Sequence, residues 1–225
     1  MTRSLFAAGI AAALALCATG CAGIPPLPPQ ATSPDAAASV PSTSDDAESE
    51  SAAPPAEPAY IADETSDPAV LAQLDYVLAY WSDYNDEEWG VLEGNDCVNF
   101  TSQALVERGW QQDDDWNHGG DPYASTPTWR SSTAMHDWLQ TRPDLATPLD
   151  DSRRAEVQLG DIVQFDWDNS GDRDHTGIVT RIERSEDDVK VYFAGHTLDS
   201  DYRDVDVAIT EEHPGASVYY WRLAG

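Results

Sequence analysis

The hydrophobic pattern of this chain changes once along its length, and that change limits the folds the chain can adopt. Between Pro68 and about Thr141, apolar residues recur at helical spacing, whereas beyond Gln158 short β-branched and aromatic runs alternate with turn residues. Helices followed by such strands are typical of an α+β domain. The sequence therefore predicts an α+β fold with N-terminal helices packed on a C-terminal antiparallel sheet.

Three helices and four strands are predicted. The first helix begins at Pro68, with Asp67 as its N-terminal cap. The second runs from Cys97 to about Arg108, with Asp96 as its cap. The third follows the segment STPTW as one helix with a wide apolar face. The predicted strands are DIVQFDW, TGIVTRIE, VKVYFAGH and SVYYWRL.

The first 21 residues predict an export signal. Arg3 precedes an apolar run from Leu5 to about Ala18, which is shorter than the roughly 20 residues of a membrane span. The tetrapeptide ATGC resembles a bacterial lipobox, so 1–21 is predicted to be a lipoprotein signal peptide with Cys21 as the lipidated residue. The alternative is an ordinary secreted protein that is cleaved nearby.

Residues 22–66 are rich in Pro, Ala, Ser and acidic residues and contain no Lys or Arg. Such a composition cannot form a core and predicts a disordered, extended tether, followed by a folded domain over 67–225. A lipid anchor and a tether would place this domain on the extracytoplasmic face of the cell membrane. The target would then lie in the cell wall.

The charge of the chain excludes two classes of partner. Twelve Lys and Arg stand against 41 Asp and Glu, for a formal net charge of −29. Nucleic acid and anionic lipid surfaces would both be repelled. The expected contact with the membrane is therefore only the N-terminal lipid anchor, and the domain is expected to be a monomer.

The cysteine count makes Cys97 the thiol of interest. Of three cysteines, Cys17 would leave with the signal peptide and Cys21 would be lipidated, so Cys97 has no partner for an internal disulfide. It is either a buried packing residue or a reactive thiol. A cysteine at the first turn of a helix lies at the positive end of the helix dipole, which favours the thiolate. Its own backbone N–H would be one oxyanion donor.

The neighbours of Cys97 bear on that choice. Asp96 would oppose thiolate formation if its carboxylate faced the sulfur, but a capping carboxylate would point at backbone amides near Asn99. His175 opens a predicted strand, and His196 ends the next one. Two histidines at the ends of neighbouring strands suggest a base and its orienting partner.

More ordinary alternatives exist for each of these residues, since a single cysteine in a helix is usually a core residue and a histidine at a strand end is usually structural. The other three histidines lie in loop-like or helical stretches and are interpreted as surface residues: His118, His136 and His213.

Five segments, in chain order, resemble the putative amidase domain family over 68–225: NDCVNFTSQAL, TPTWR, LGDIVQFDW, DHTGIVT and AGHT. That family is similar in plan to the NlpC/P60 and CHAP cell-wall hydrolases, which share a papain-like core. The resemblance implies a papain-like (NlpC/P60-like) fold, with Cys97 as nucleophile, His175 as general base and His196 as the third polar residue. Asp199 is the alternative third residue that the resemblance suggests.

Two of these segments contain further polar or aromatic residues. In TPTWR, Trp129 is interpreted as a core residue, with lining of a cleft as the alternative, and Arg130 as an exposed helix start. In the cysteine segment, Asn99 and Gln103 are expected to tie the helix to neighbouring loops, although Asn99, like Asp96, is also a candidate orienting group.

The segment DWDNSGDRDH resembles part of a calcium-binding loop. Asp166, Asp168, Ser170 and Asp174 fall at ligand positions, but Gly177 stands where such a loop carries a bidentate Glu. An acidic hairpin turn is the favoured alternative. No firm metal site is predicted.

Three classes of function follow from these residues. The first is a cysteine hydrolase, without a cofactor, that cleaves amide bonds in peptidoglycan peptides or another amide substrate. The second is a catalytically inactive lipoprotein that binds the cell wall through the same cleft. The third is a calcium-dependent adhesion or structural module. The hydrolase is favoured because a cysteine and two histidines occur in the required order.

Overall fold

The computed structural model of the protein describes residues 61–225. The predicted signal peptide, its Cys21 and residues 22–60 of the predicted tether lie outside the described residues. Within the described part, no helix combines the length and the apolar character needed to cross a membrane.

The described residues form helices and strands in the predicted order. The helices are α1 (Pro68–Tyr80), α2 (Asp86–Trp89), α3 (Cys97–Glu107), α4 (Pro127–Arg130), α5 (Ser132–Gln140) and α6 (Val205–Val207), the last followed by a π-helical turn, Ala208–Glu212. The strands are β1 (Ile61–Ala62), β2 (Ala146–Asp150), β3 (Ile162–Asp166), β4 (His175–Arg184), β5 (Val189–Gly195), β6 (Ser200–Asp204) and β7 (Ser217–Leu223).

The strands form one antiparallel sheet in the order β2-β7-β3-β4-β5-β6, and β1 pairs with the far end of β4. The α+β class and the four predicted strands are confirmed. The sequence did not predict β1, β2 or β6. β2 contains Pro148 and β6 reads SDYRD, so neither has the apolar alternation of a half-buried strand. Both lie at the edges of the described sheet, where such residues are tolerated.

The first two predicted helices are confirmed at their N-terminal ends. Asp67 caps α1 by accepting a hydrogen bond from the Ala69 N–H at 2.9 Å. α3 begins at Cys97, as predicted. The third predicted helix is wrong as a single element, because Ser131 has an extended backbone (φ −125°, ψ 125°) and separates α4 from α5. The Ser131 hydroxyl accepts from the Ala134 N–H and so caps α5.

Each face of the sheet carries its own apolar core. The helical core contains side chains of α1, α3, α4 and α5, including Phe100 and Trp129, packed on Ile178 of β4. The second core lies on the opposite face, where Val179 packs with Phe193 and with residues of α6. Consecutive residues of β4 thus enter different cores, as expected for a strand buried on both faces.

The domain begins earlier than the predicted boundary at residue 67. β1 pairs with Arg184 and Glu183 of β4, and the Asp63 N–H donates to the Ile182 carbonyl oxygen at 2.7 Å. The Asp63 carboxylate also accepts from Arg184 Nε at 2.8 Å. The end of the predicted tether is therefore part of the folded domain, because its backbone completes an open section of the edge of β4.

Truncation tests this boundary. We expect a domain that begins at residue 67 to have a free energy of unfolding lower by about 1 kcal/mol or more than one that begins at residue 61. The longer domain keeps the hydrogen bonds of β1 and Asp63 and an ion pair, each worth on the order of 1 kcal/mol or less. Urea denaturation of the two proteins measures the difference. Asp63→Asn in the longer domain should account for only part of it, and equal stability of the two would contradict the assignment.

Candidate active site

Cys97 is the first residue of α3 and points into the interface between that helix and the sheet. Its side chain is 1% exposed, and it is a free cysteine. The sulfur lies 3.8 Å from Ser132 Oγ. Backbone hydrogen bonds from Thr176 on β4 and Val98 on α3 favour its thiolate form. The thiol therefore touches the backbone of the residue that directly follows His175.

The thiol is nevertheless neutral at rest. Burial raises the pKa of Cys97, and this effect outweighs the hydrogen bonds from Ser132, Thr176 and Val98, which lower it. The negative charge of Asp96 adds a smaller rise. The helix dipole alone, on which the sequence-based expectation of a thiolate rested, does not compensate for the removal of water.

A chain of buried hydroxyl and amide groups surrounds the sulfur. The Thr176 hydroxyl donates to Ser132 Oγ at 2.9 Å, which leaves the Ser132 proton free to point at Cys97. The Gln164 amide donates to Thr176 Oγ1 at 3.1 Å and accepts from Trp221 Nε1 at 2.8 Å. Sequence reasoning missed this network. Thr176 stood inside the DHTGIVT segment, but nothing in the sequence indicated that Ser132 would face it.

His175 lies at the start of β4 and on the opposite face from Ser132. Its ring is about 6 Å from the rings of Phe165, Trp167 and Phe193 (6.0, 6.0 and 5.9 Å between centroids), on the side of the second core. Side chains of consecutive strand residues point to opposite faces, so the hydroxyl of Thr176 faces the helices while the imidazole of His175 faces away. No hydrogen bond joins Cys97 to His175 among the described residues.

The imidazole of His175 is neutral. Its pKa is lowered to about 3, chiefly by burial and to a smaller extent by its neighbours Arg203 and His213. The side chain is 5% exposed, and its Nε2 is buried without a hydrogen-bond partner among the described residues. A neutral imidazole can accept a proton, which is the state that a general base requires.

His196 is held by α3 and by the end of α1. Its Nδ1 lies 2.6 Å from Asp96 Oδ2, and its Nε2 lies 2.9 Å from the Tyr80 carbonyl oxygen. The ring is stacked between Tyr84 and Phe100, at 3.6 and 3.8 Å between centroids. Both nitrogens are therefore occupied by oxygen acceptors.

Asp96 does not cap α3 with its side chain, and this part of the sequence prediction is wrong. Its carboxylate accepts from the Leu92 N–H at 2.7 Å and from Asn99 Nδ2 at 2.9 Å, besides its contact with His196. The physical reason is its helical backbone conformation (φ −97°, ψ −1°), because a capping residue needs an extended one. The Asp96 N–H donates to Thr197 Oγ1 at 3.0 Å.

Neither candidate for the third catalytic residue is hydrogen-bonded to His175 in the described part of the chain. His196 is bound to Asp96 and Tyr80. Asp199 is exposed and accepts from the Tyr84 hydroxyl at 2.6 Å. The structure thus pairs His196 with Asp96, the residue before Cys97, rather than with His175.

The remaining residues of the motifs tie elements together, as predicted. Asn99 donates to the Gly90 carbonyl oxygen at 3.2 Å and accepts from Trp129 Nε1 at 2.8 Å, so its amide is committed to structure. Gln103 accepts from the Tyr76 hydroxyl at 2.7 Å. Trp129 is fully buried in the helical core. Arg130, in contrast, was predicted as an exposed helix start and is the half-buried last residue of α4, where its guanidinium donates to the Ser125 carbonyl oxygen.

The other three histidines are not free surface residues, contrary to the prediction. His118 is buried, with Nε2 at 2.8 Å from the Trp89 carbonyl oxygen. His136 is half-buried at 5.4 Å from the Trp221 ring, and His213 is stacked on Trp167 at 4.1 Å. Each of these contacts joins segments distant in the chain, which explains why the local sequence gave no sign of them.

The acidic turn before His175 gathers the carboxylates of Asp166, Asp168, Asp172 and Asp174, with one ligand atom of each within 4.8 Å of the others. This group includes Asp172, which was not among the predicted ligands. Ser170, which was a predicted ligand, instead donates its hydroxyl to Asp172. Hydrogen-bond donors of the protein itself contact two of these carboxylates. Backbone N–H groups of the turn donate to Asp166 and Asp174, and the Arg173 guanidinium lies 3.8 Å from Asp166.

Comparison with known proteins agrees with the motifs. A sequence model described as the putative amidase domain matches residues 69–221, which is most of the chain. No curated protein and no solved structure matches the chain significantly. The match includes all five segments on which the resemblance was based, together with Cys97, His175 and His196. The chain belongs to the putative amidase domain family, a description that denotes the hydrolysis of amide bonds.

Proposed function

We propose that this protein is a cysteine hydrolase that cleaves amide bonds, with Cys97 as nucleophile and His175 as general base. The observation that carries the proposal is the environment of the thiol. Cys97 begins a helix, contacts the Ser132 hydroxyl and accepts backbone hydrogen bonds, one of them from Thr176, the residue after His175. A nucleophile at a helix N-terminus, packed against an antiparallel sheet that carries the base, supports a papain-like core.

The resting site contains a neutral thiol and a neutral imidazole, so the reaction begins with general-base catalysis rather than with an ion pair. Because the imidazole of His175 faces away from Cys97 in the structure, this step requires the ring to turn toward the helical face of β4. As the Cys97 sulfur then bonds to the carbonyl carbon, its proton passes to His175 and the carbonyl π electrons move to oxygen. The N–H of Cys97, at the helix N-terminus, donates to the oxyanion that forms. No cofactor takes part.

Collapse of the tetrahedral intermediate breaks the C–N bond. The imidazolium of His175 returns its proton to the leaving amine, and a thioester to Cys97 remains. Water then attacks the thioester, with its proton passing to His175, and the protonated imidazole restores the thiol as the carboxylic acid leaves. Because Cys97 and His175 are only 1% and 5% exposed, a substrate reaches them only when covering residues move.

Peptidoglycan peptides are the proposed substrate, and the extracytoplasmic face of the cell membrane is the proposed location. The support is in the sequence. An export signal ending in a lipobox, with lipidation at Cys21, and a tether lacking Lys and Arg would hold an acidic domain at the cell wall. The net charge of −29 is compatible with a peptide substrate and unfavourable for nucleic acid.

A second candidate is a cell-wall-binding lipoprotein without catalysis. One observation favours it: burial raises the pKa of the Cys97 thiol, and a buried neutral thiol is typical of an inert packing residue. The two functions differ in their dependence on the sulfur atom, since binding does not require it.

Substitution of the nucleophile tests the proposal. We expect Cys97→Ala to lower the release of fragments from purified peptidoglycan by at least about 1,000-fold, because the covalent step is lost. Mass analysis of the products identifies the bond cleaved, and far-ultraviolet circular dichroism verifies that the variant folds. Equal product release by wild type and variant would refute the cysteine mechanism. Absence of products from both, with undiminished binding and a thiol that resists alkylation, would favour the second candidate.

The protonation of His175 gives a prediction for stability against pH. Its pKa is about 3 in the folded protein and about 6.5 in an unfolded chain. Between these values the unfolded chain binds more protons, so the free energy of unfolding falls as pH decreases, by up to about 1.4 kcal/mol per pH unit from this group. We expect His175→Gln to make urea denaturation less dependent on pH between pH 4.5 and 6.5.

The matched control for this measurement is Cys97→Ala, which keeps His175 and should retain the wild-type dependence on pH. If His175→Gln and the wild type show the same slope, His175 is not buried in its neutral form.

A further inference from the structure

A series of hydrogen bonds leads from the indole of Trp221 through buried side chains to the sulfur of Cys97. Trp221 Nε1 lies 2.8 Å from Gln164 Oε1, and Gln164 Nε2 lies 3.1 Å from Thr176 Oγ1. Thr176 Oγ1 lies 2.9 Å from Ser132 Oγ, which lies 3.8 Å from the sulfur. All of these residues are buried, so bulk water does not compete for the bonds.

The amide of Gln164 is fixed in one orientation, because each of its two ends faces a group that has a single role. The Trp221 indole N–H can only donate, so the amide atom next to it is the oxygen. The Ser132 carbonyl oxygen can only accept, and Gln164 Nε2 donates to it at 2.9 Å. Gln164 therefore donates to the hydroxyl of Thr176 and does not accept from it.

This orientation sets the direction of the next two hydrogen bonds. A hydroxyl group has one proton to donate and two lone pairs that accept. Thr176 Oγ1 accepts from Gln164, and within residues 61–225 the acceptor in reach of its own proton is Ser132 Oγ. The acceptor in reach of the Ser132 proton is in turn the sulfur of Cys97.

The opposite arrangement, in which the Cys97 thiol donates to Ser132, leaves a buried proton without an acceptor. The second lone pair of Ser132 Oγ could take the S–H proton, but the Ser132 proton would then point at no acceptor in the described part of the chain. An unsatisfied buried hydroxyl is unfavourable, and S–H is the weaker donor of the two groups. Satisfying both hydroxyl protons therefore requires that Ser132 donates to the sulfur.

We propose that Ser132 is a positioning residue for the nucleophile: its hydroxyl donates to the Cys97 sulfur, in a direction that Trp221 and Gln164 set through Thr176. This inference rests on the proposed function. Because the sulfur accepts from Ser132, the S–H bond points elsewhere and its proton stays available to the general base. The same hydroxyl then stabilises the negative charge that develops on the sulfur as this proton leaves.

Two backbone amides act on the sulfur in the same sense. The N–H groups of Thr176 and Val98 also form hydrogen bonds to it. A neutral thiol is a weak acceptor, whereas hydrogen bonds to an ionised group are roughly twice as strong as those between neutral groups. Three donors that converge on one buried sulfur therefore stabilise the reaction more than the resting state, which raises kcat and leaves KM unaffected.

Substitution of Ser132 and Thr176 tests the role of the hydroxyl groups. We expect Ser132→Ala to lower kcat on soluble peptidoglycan fragments about 10- to 100-fold with KM unchanged, as for the loss of a hydrogen bond to a group that becomes charged. Thr176→Val removes the donor to Ser132 and should lower kcat about three- to tenfold. Thr176→Ser restores that donor, and kcat should return to within about twofold of wild type.

The infrared S–H stretching band reports the direction of the hydrogen bond without any need for activity. A thiol that donates a hydrogen bond absorbs at a lower frequency than one that does not. Each spectrum is taken as the difference from the same protein carrying Cys97→Ala, which isolates the band of Cys97. We expect the band at the same position in wild type and in Ser132→Ala, because the thiol does not donate to Ser132.

Ser131→Ala is the matched control, because it removes the hydroxyl that caps α5 and leaves Ser132 in place. Its kcat should stay within about twofold of wild type. A band that moves to higher frequency in Ser132→Ala, or a wild-type kcat in that variant, would overturn the proposal. An equal loss of kcat in Ser131→Ala and Ser132→Ala would also overturn it, because loosening of α5 would explain both. Failure of the proposed function would be seen separately, as hydrolysis that survives Cys97→Ala, and the band position would still decide the direction of the hydrogen bond.

Discussion

The bond between Asp96 and His196 fixes the geometry on which the rest of the site depends. It joins the residue before α3 to the residue after β5, and both side chains are nearly completely buried. Stacking of the imidazole between Tyr84 and Phe100 holds the pair on both sides. Loss of one partner would leave an uncompensated polar group in the core, which typically costs several kcal/mol. Because Cys97 directly follows Asp96 in the chain, the hydrogen bond between Asp96 and His196 also fixes the position of Cys97.

β4 divides the chemistry of the site between two environments. On its helical face, Thr176 belongs to a hydroxyl network that ends at the sulfur. On its other face, His175 lies against an aromatic core, where burial lowers the pKa of the imidazole. Alternation along one strand thus brings a donor network and a desolvated imidazole to the two sides of a single peptide unit. Burial keeps Cys97 and His175, the proposed reacting groups, neutral rather than as an ion pair.

Features set by local sequence were predictable, and features set by distant contacts were not. The capping of α1 by Asp67 and the start of α3 at Cys97 depend on neighbouring residues. The break at Ser131 and the pairing of Asp96 with His196 depend on elements far apart in the chain. A single sequence carries no record of such contacts. The family motifs identified the family and its coarse activity, amide hydrolysis, but they did not indicate which face of a strand each side chain would occupy.

The near-complete burial of the thiol also bears on its stability against oxidation if the protein is exported as proposed. Outside the cytoplasm, an exposed thiolate would be oxidised or captured as a mixed disulfide, because the thiolate is the form that reacts. Cys97 has no second thiol within 61–225 to rescue a sulfenic acid as an internal disulfide. A neutral sulfur that is 1% exposed reacts slowly with small oxidants. Limited access would therefore protect the proposed nucleophile from oxidation.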